Sequence, residues 1–113
     1  MNMAIYNRLL YLARQRKLNT YGEVAPLAGL SMDNIGDRTE ISRLLHEIIC
    51  HEAGEQRPLL TALVVLSGER NPGIGFYNAS TELGRYGGSN DELIRLEFWS
   101  NEVNRVYDYW ANH

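Results

Sequence analysis

The sequence predicts an α+β domain with a small antiparallel sheet and a long C-terminal helix, on three observations. Two helix entries carry paired caps, Thr20 with Glu23 and Asp37 with Glu40, the spacing of a capping box. An apolar run, Leu59–Leu66, is too apolar and β-branched for a surface strand, so it predicts a buried one, and is followed by a Gly/Pro/Asn turn. The last third of the chain repeats apolar residues at spacings of three and four. From Leu18 to Tyr77 the order is short strand, helix, turn, helix, strand, loop, strand, which is that of a winged helix-turn-helix.

Each element has its own local reason. Residues 3–17 predict a helix, with Ile5, Leu9, Leu12 and Ala13 on one face and Arg14, Arg16 and Lys17 in the last turn. Cations suit the negative end of the helix dipole. Asn19-Thr20-Tyr21 is extended, and a short helix over 21–28 is interrupted by Pro26 and closed by Gly29. After a turn over 31–36, Asp37 caps a helix over 38–53 whose apolar face is Ile41, Leu44, Leu45, Ile48 and Ile49. Leu59–Leu66 predicts a buried strand, 67–73 a turn, Gly75-Phe76-Tyr77 the returning strand, and the glycine-bearing segment 78–90 a connector. Ser89 or Asn90 caps a final helix over 91–111, striped by Leu93, Leu96, Trp99, Val103, Val106 and Trp110. The expected core is Leu9, Leu12, Leu44, Ile48, Leu63, Val65, Leu96, Trp99 and Val103.

The chain has 113 residues, enough for one domain, and a formal net charge of −3. A dedicated nucleic-acid binder is usually basic, because phosphate neutralisation supplies most of its affinity. The charge is unevenly placed. Residues 1–30 hold Arg8, Arg14, Arg16 and Lys17 against Glu23 alone, whereas the rest of the chain is acidic. A single cysteine, Cys50, rules out an internal disulfide and fits a reducing cytoplasm. No apolar run reaches the ~20 residues of a membrane span, and the N-terminus has no signal-peptide pattern, so a cytoplasmic location with no membrane association is expected.

The run Thr20-Tyr21-Gly22-Glu23-Val24-Ala25 resembles the opening of the DNA-binding domain of the alkylguanine-DNA alkyltransferases and their alkyltransferase-like relatives. The later order is similar too: a helix, the Pro-containing Arg57-Pro58, the apolar Leu63-Val64-Val65, a glycine-containing loop and a Gly-aromatic close. The similarity spans roughly residues 5–77 and implies a winged-helix topology. The family's Pro-Cys-His-Arg motif is missing, since Leu59 and Leu60 follow Pro58. Alkyl transfer is therefore not implied.

No segment brings a nucleophile, a base and oxyanion donors together, so neither catalytic nor cofactor-binding residues are assigned. His46 and Cys50 share a helical face, but a zinc site needs a third and usually a fourth ligand, and no metal is expected. Glu47, Glu52, Glu55 and Glu69 are spread over helix, turn and loop and read as solvated acids. Gly68–Gly75 lacks the Lys-Ser/Thr of a phosphate loop. The favoured function is a non-catalytic regulatory or protein-interaction module. The alternative is a DNA-binding protein using Arg38, Arg43 and Arg70, assisted by Arg14, Arg16 and Lys17, with Arg57 at the exit of the recognition helix. The aromatics Phe98, Trp99, Tyr107, Tyr109 and Trp110 exceed what one helix face buries in so small a domain. They predict a homodimer or partner interface on the C-terminal helix.

Overall fold

The computed structural model describes residues 1–113 and contains five α-helices and one two-stranded sheet. Helix α1 spans Met3–Gln15, capped by Asn2, whose side chain accepts from the Ile5 amide. Arg16 takes the left-handed conformation (φ 55°) that ends it, earlier than the expected residue 17. Strand β1 is Asn19–Thr20 and helix α2 Tyr21–Val24, followed by a 3₁₀ turn over Ala25–Ala28 that Gly29 closes at φ 72°. The capping box is present as read: Thr20 accepts from the Glu23 amide at 3.2 Å and Glu23 from the Thr20 amide at 2.9 Å.

Helix α3 runs Ile35–Gly54, a turn longer at its start than the sequence predicts. Asn34 is the cap, accepting from the Asp37 amide, and Asp37 instead accepts from the Ser31 amide and ties down the preceding turn. Strand β2 is Val64–Val65, α4 is Ile74–Glu82 and α5 is Glu92–Ala111. Asp91 caps α5, accepting from the amides of Leu93 and Ile94, in place of the expected Ser89 or Asn90. No helix is long and apolar enough to cross a membrane.

The sheet corrects the sequence reading. Strands β1 and β2 pair in parallel, Asn19 opposite Val64 and Thr20 opposite Val65, where an antiparallel hairpin was expected. A parallel pair needs a long crossover, and here α2 and α3 supply it. Of the expected strand Leu59–Leu66, only Val64 and Val65 join a ladder, and Leu60–Leu63 forms a 3₁₀ turn. The cause is the shortage of a partner strand. Leu60–Leu63 packs among α1, α3 and α5, and Leu59, Leu60, Ala62 and Leu63 are completely buried. Buried backbone groups must still be paired. The turn does this locally, with the Ala62 amide donating to the Leu59 carbonyl. Two side chains of α5 do the rest: the Trp99 indole donates to the Ala62 carbonyl at 2.8 Å, and Glu102 accepts from the Leu59 amide at 2.7 Å.

The expected returning strand, Gly75–Tyr77, is the first part of α4. Phe76, Tyr77, Ala79 and Ser80 are its buried side, a helical spacing hidden by the β-forming character of a three-residue aromatic segment. Ser80 and Thr81 satisfy their hydroxyls by donating to the carbonyls of Phe76 and Tyr77.

Eight of the nine expected core residues are buried, and Leu96 is not, at 45% exposed. The apolar stripe of α5 meets the body of the protein only from Trp99 onward, so Leu93 and Leu96 extend it beyond the surface there to cover it.

Candidate functional site

Helix α4 separates two clefts. On one side Phe76 and Ala79 face Leu45, His46 and Ile49 of α3, with Tyr21 and Thr61 closing a cleft of about 320 Å³. Tyr21 anchors this side: its hydroxyl accepts from the Gly73 amide at 3.1 Å. A Cβ on residue 73 would stand 3.0 Å from that oxygen, so any other residue there would press on the Tyr21 ring tip. Burial raises the Tyr21 phenol above its ordinary value, against the opposing effect of the Gly73 amide.

On the other side a groove of about 410 Å³ is walled by Leu66, Pro72, Ile74, Tyr77, Arg95 and Leu96, with Glu92 at its edge. Tyr77 and Arg95 continue into an adjoining polar recess that includes Glu82 and Tyr86. Arg95 lies over the Tyr77 ring at 5.2 Å and donates to the Ser89 carbonyl and the Asn90 side chain. The Tyr77 hydroxyl donates to Asn71 at 2.8 Å. Its phenol is pushed up to about 12 by burial, with the neighbouring Tyr86 adding and Arg95 opposing. Three large apolar side chains of this groove are open to solvent: Leu66 at 39%, Ile74 at 55% and Leu96 at 45%. Leu93, at 76% exposed, extends the apolar surface along the first turn of α5, and Ile94, at 50%, lines a separate shallow recess with Phe98.

The five aromatics expected at an interface lie elsewhere. Trp99, Tyr107 and Trp110 are buried. Phe98 is half-buried against Tyr86 and Phe76, at centroid distances of 4.7 and 5.9 Å. Tyr109 meets the edge of Trp110 and stacks on His113. The domain covers these rings because α1 and the turn Leu60–Leu63 both pack on α5. The surplus apolar surface of the helix is at its N-terminal end instead.

The six cations of the nucleic-acid reading do not form one free basic face. Arg43 is bound by Glu40 and Glu47 on its own helix. Glu40 raises the Arg43 guanidinium above its ordinary value, and Arg43 in turn lowers the Glu40 carboxyl. Arg16 pairs with Asp108 at 2.9 Å and lies over Tyr107. Arg14 donates to the His113 carbonyl and covers Trp110. Arg38 donates to the Met32 carbonyl. Lys17 is exposed and in no ion pair, and Arg70 is also exposed, sharing an open cleft with Arg16. Arg57 is held by Glu52 and covers the other reach of Trp110. Burial works against the charge on Arg57, but the Glu52 carboxylate outweighs it and raises the guanidinium.

Two buried acids escape the sequence reading. Glu52, read there as a solvated acid, is completely buried, accepting from the Tyr6 hydroxyl at 2.7 Å and from Arg57. Burial, and then Glu52, push the Tyr6 phenol up to about 12. Glu102 is 2% exposed and accepts from Leu59 and Arg105. A signal was there: Glu52 follows Ile48 and Ile49 at the spacing of the buried stripe, and Glu102 follows Trp99. Both acids connect elements and neither opens on a cleft.

His46 and Cys50 do meet, ring nitrogen to sulfur at 3.4 Å. No group of three or more His, Cys, Asp or Glu side chains is placed to hold a metal ion. Comparison of the chain with protein-family models, with curated proteins and with solved structures finds no match.

Proposed function

We propose that this chain is a non-catalytic recognition module, on a scaffold related to helix-turn-helix domains, that binds a partner protein through the groove between α4 and the start of α5. One observation carries the reading. Leu66, Ile74 and Leu96 are exposed together around that groove, with Leu93 exposed one helical turn before Leu96. Scattered single apolar residues are normal on a surface, whereas contiguous ones mark interaction sites. The partner uses the C-terminal helix as the sequence suggests, but by its first two turns and not by its aromatic half.

DNA binding is the reading that competes with this one. It would draw on Arg38, Arg43 and Arg70 together with Arg14, Arg16 and Lys17. Glu40, Glu47 and Asp108 already neutralise two of these, and phosphate would have to displace them.

The deciding experiment places a photo-reactive phenylalanine analogue at position 93 or 96 in cells, with position 11 as the exposed control. A discrete protein adduct from 93 and 96 but not from 11 is expected. Equal labelling at all three positions, or none, would remove the proposal. A mobility shift on duplex DNA that weakens steeply with salt would replace it with the nucleic-acid reading.

A further inference from the structure

The cleft on the α3 side of α4 is built differently from the groove across the helix. Its floor is Leu45, Ile49, Thr61, Phe76 and Ala79, all of them buried. Thr61 is the polar member. It is 6% exposed, and its hydroxyl has no hydrogen-bond partner within the chain. Ser80, also buried, satisfies its own by donating to the Phe76 carbonyl at 2.7 Å. Trp110 Nε1 is the one fully enclosed side-chain polar atom that lacks a partner. The Thr61 oxygen is therefore not enclosed, and the cleft is the space on which Thr61 opens. Buried polar groups are nearly always paired, so this hydroxyl takes its partner from the cleft. Tyr21, which also lines it, leaves a second proton unclaimed: its hydroxyl accepts from the Gly73 amide and donates to no group of the fold. Hydroxyl donors with free protons match an acceptor oxygen, and a carbonyl offers two lone pairs.

The rim sets the charge. Ser42, Arg43 and His46 stand there, exposed. Arg43 is held by Glu40 and Glu47, and Nε2 of His46 meets the Cys50 sulfur. A ligand carboxylate would find Arg43 already taken, and no acid lines the cleft to meet an ammonium. The volume sets the size. An apolar cavity of about 150 Å³ already holds benzene. This cleft has about 320 Å³, room for one ring and a small substituent. An aromatic ring would add offset or edge contact with Phe76 to its apolar burial.

We infer that the cleft between α3 and α4 binds a small uncharged molecule, a single ring carrying a carbonyl group, with the ring against Leu45, Ile49 and Phe76 and the carbonyl oxygen accepting from Thr61. The site is separate from the protein-recognition groove across α4, and each has its own test.

Methyl NMR titration with four single-ring probes tests it: benzamide, toluene, benzoate and benzylammonium. Benzamide is expected to shift the methyl signals of Leu45, Ile49, Thr61 and Ala79. It should bind about fivefold more tightly than toluene, the worth of one net hydrogen bond. The two ions leave these signals in place. Thr61→Val removes the hydroxyl at nearly constant shape. It is expected to erase the benzamide advantage while toluene still binds. The thermal midpoint stays level or rises, because the free protein loses no hydrogen bond. Ser42→Phe, a change on the exposed rim, closes the mouth and weakens benzamide and toluene alike. Benzamide no tighter than toluene, or an advantage that survives Thr61→Val, overturns the carbonyl assignment. Benzoate or benzylammonium binding as well as benzamide overturns the uncharged ligand. No shift at these methyls with any probe overturns the site. Shifts confined to Leu66, Ile74 and Leu96 overturn it too, while leaving the protein-recognition reading in place.

Discussion

Glu52 shows how much one side chain decides. It is a carboxylate with no solvent contact, held by a phenol on α1 and a guanidinium beyond the end of α3. Removing one partner of a buried pair strands the other without a counter-charge. Glu52→Ala is therefore expected to cost about 3–5 kcal/mol in denaturant unfolding, whereas Tyr6→Phe, which removes one hydrogen bond, costs about 1–2 kcal/mol. Similar losses for the two variants would argue against an ion pair at the centre of this contact. The phenols give a pH dependence of definite sign. Tyr6 and Tyr77 both titrate at about 12 when folded, against 10.0 for a free phenol. Their raised values stabilise the fold fully below pH ~10, and this contribution is lost as pH rises through ~12. Tyrosinate absorbance should show at least two phenols ionising only with alkaline unfolding. Tyr6→Phe should make the loss of stability over that interval shallower.

Among the elements, those whose ends are set by their own neighbours form where local chemistry directs. The capping box at Thr20 serves α2 while β1 pairs with β2. Thr20→Ala is expected to cost about 1 kcal/mol, read as a shift in the denaturant midpoint at constant slope. Helix α4 is the opposite case, since Gly75-Phe76-Tyr77 has the residues of a strand and adopts a helix. At Gly75 an added Cβ would meet nothing within 4 Å. Gly75→Ala should raise stability by about 0.5 kcal/mol through helix propensity, and a fall would contradict the helical assignment. Leu60–Leu63 turns away from strand geometry for a related reason. Helices surround it, no chain lies alongside to complete a ladder, and a 3₁₀ turn with help from Trp99 and Glu102 pairs its backbone.

Across the whole molecule, the same helix is core at one end and surface at the other. Trp99 is 7% exposed and Leu96, one turn earlier, is 45% exposed. Trp99→Ala should cost about 3–5 kcal/mol by leaving a cavity and an unpaired Ala62 carbonyl. Leu96→Ser should stay within about 0.5 kcal/mol of the parent and yet weaken partner binding. Thermal unfolding and cross-linking from position 93 separate the two effects. Equal destabilisation by both substitutions would mean that Leu96 is covered in the folded protein, and the recognition surface would lose its main support.

The sequence alone determined four of the five helices, all but α4, because a 3.6-residue apolar period and a capping side chain are properties of residues close together in the chain. It also determined most of the core, from Leu9 to Val103, since those residues lie on the same stripes. Three things were decided only by the tertiary structure. One was the direction of the sheet, because the strand beside Val64-Val65 comes from a segment some forty residues away, across α3. Another was the fate of the ionised groups. Whether Glu52 is solvated, or Arg16 free, depends on the hydroxyl of Tyr6 and the carboxylate of Asp108 that distant elements deliver. The last was the location of the exposed apolar surface, because an amphipathic stripe reports which side of a helix seeks cover and not how far along its length cover is provided.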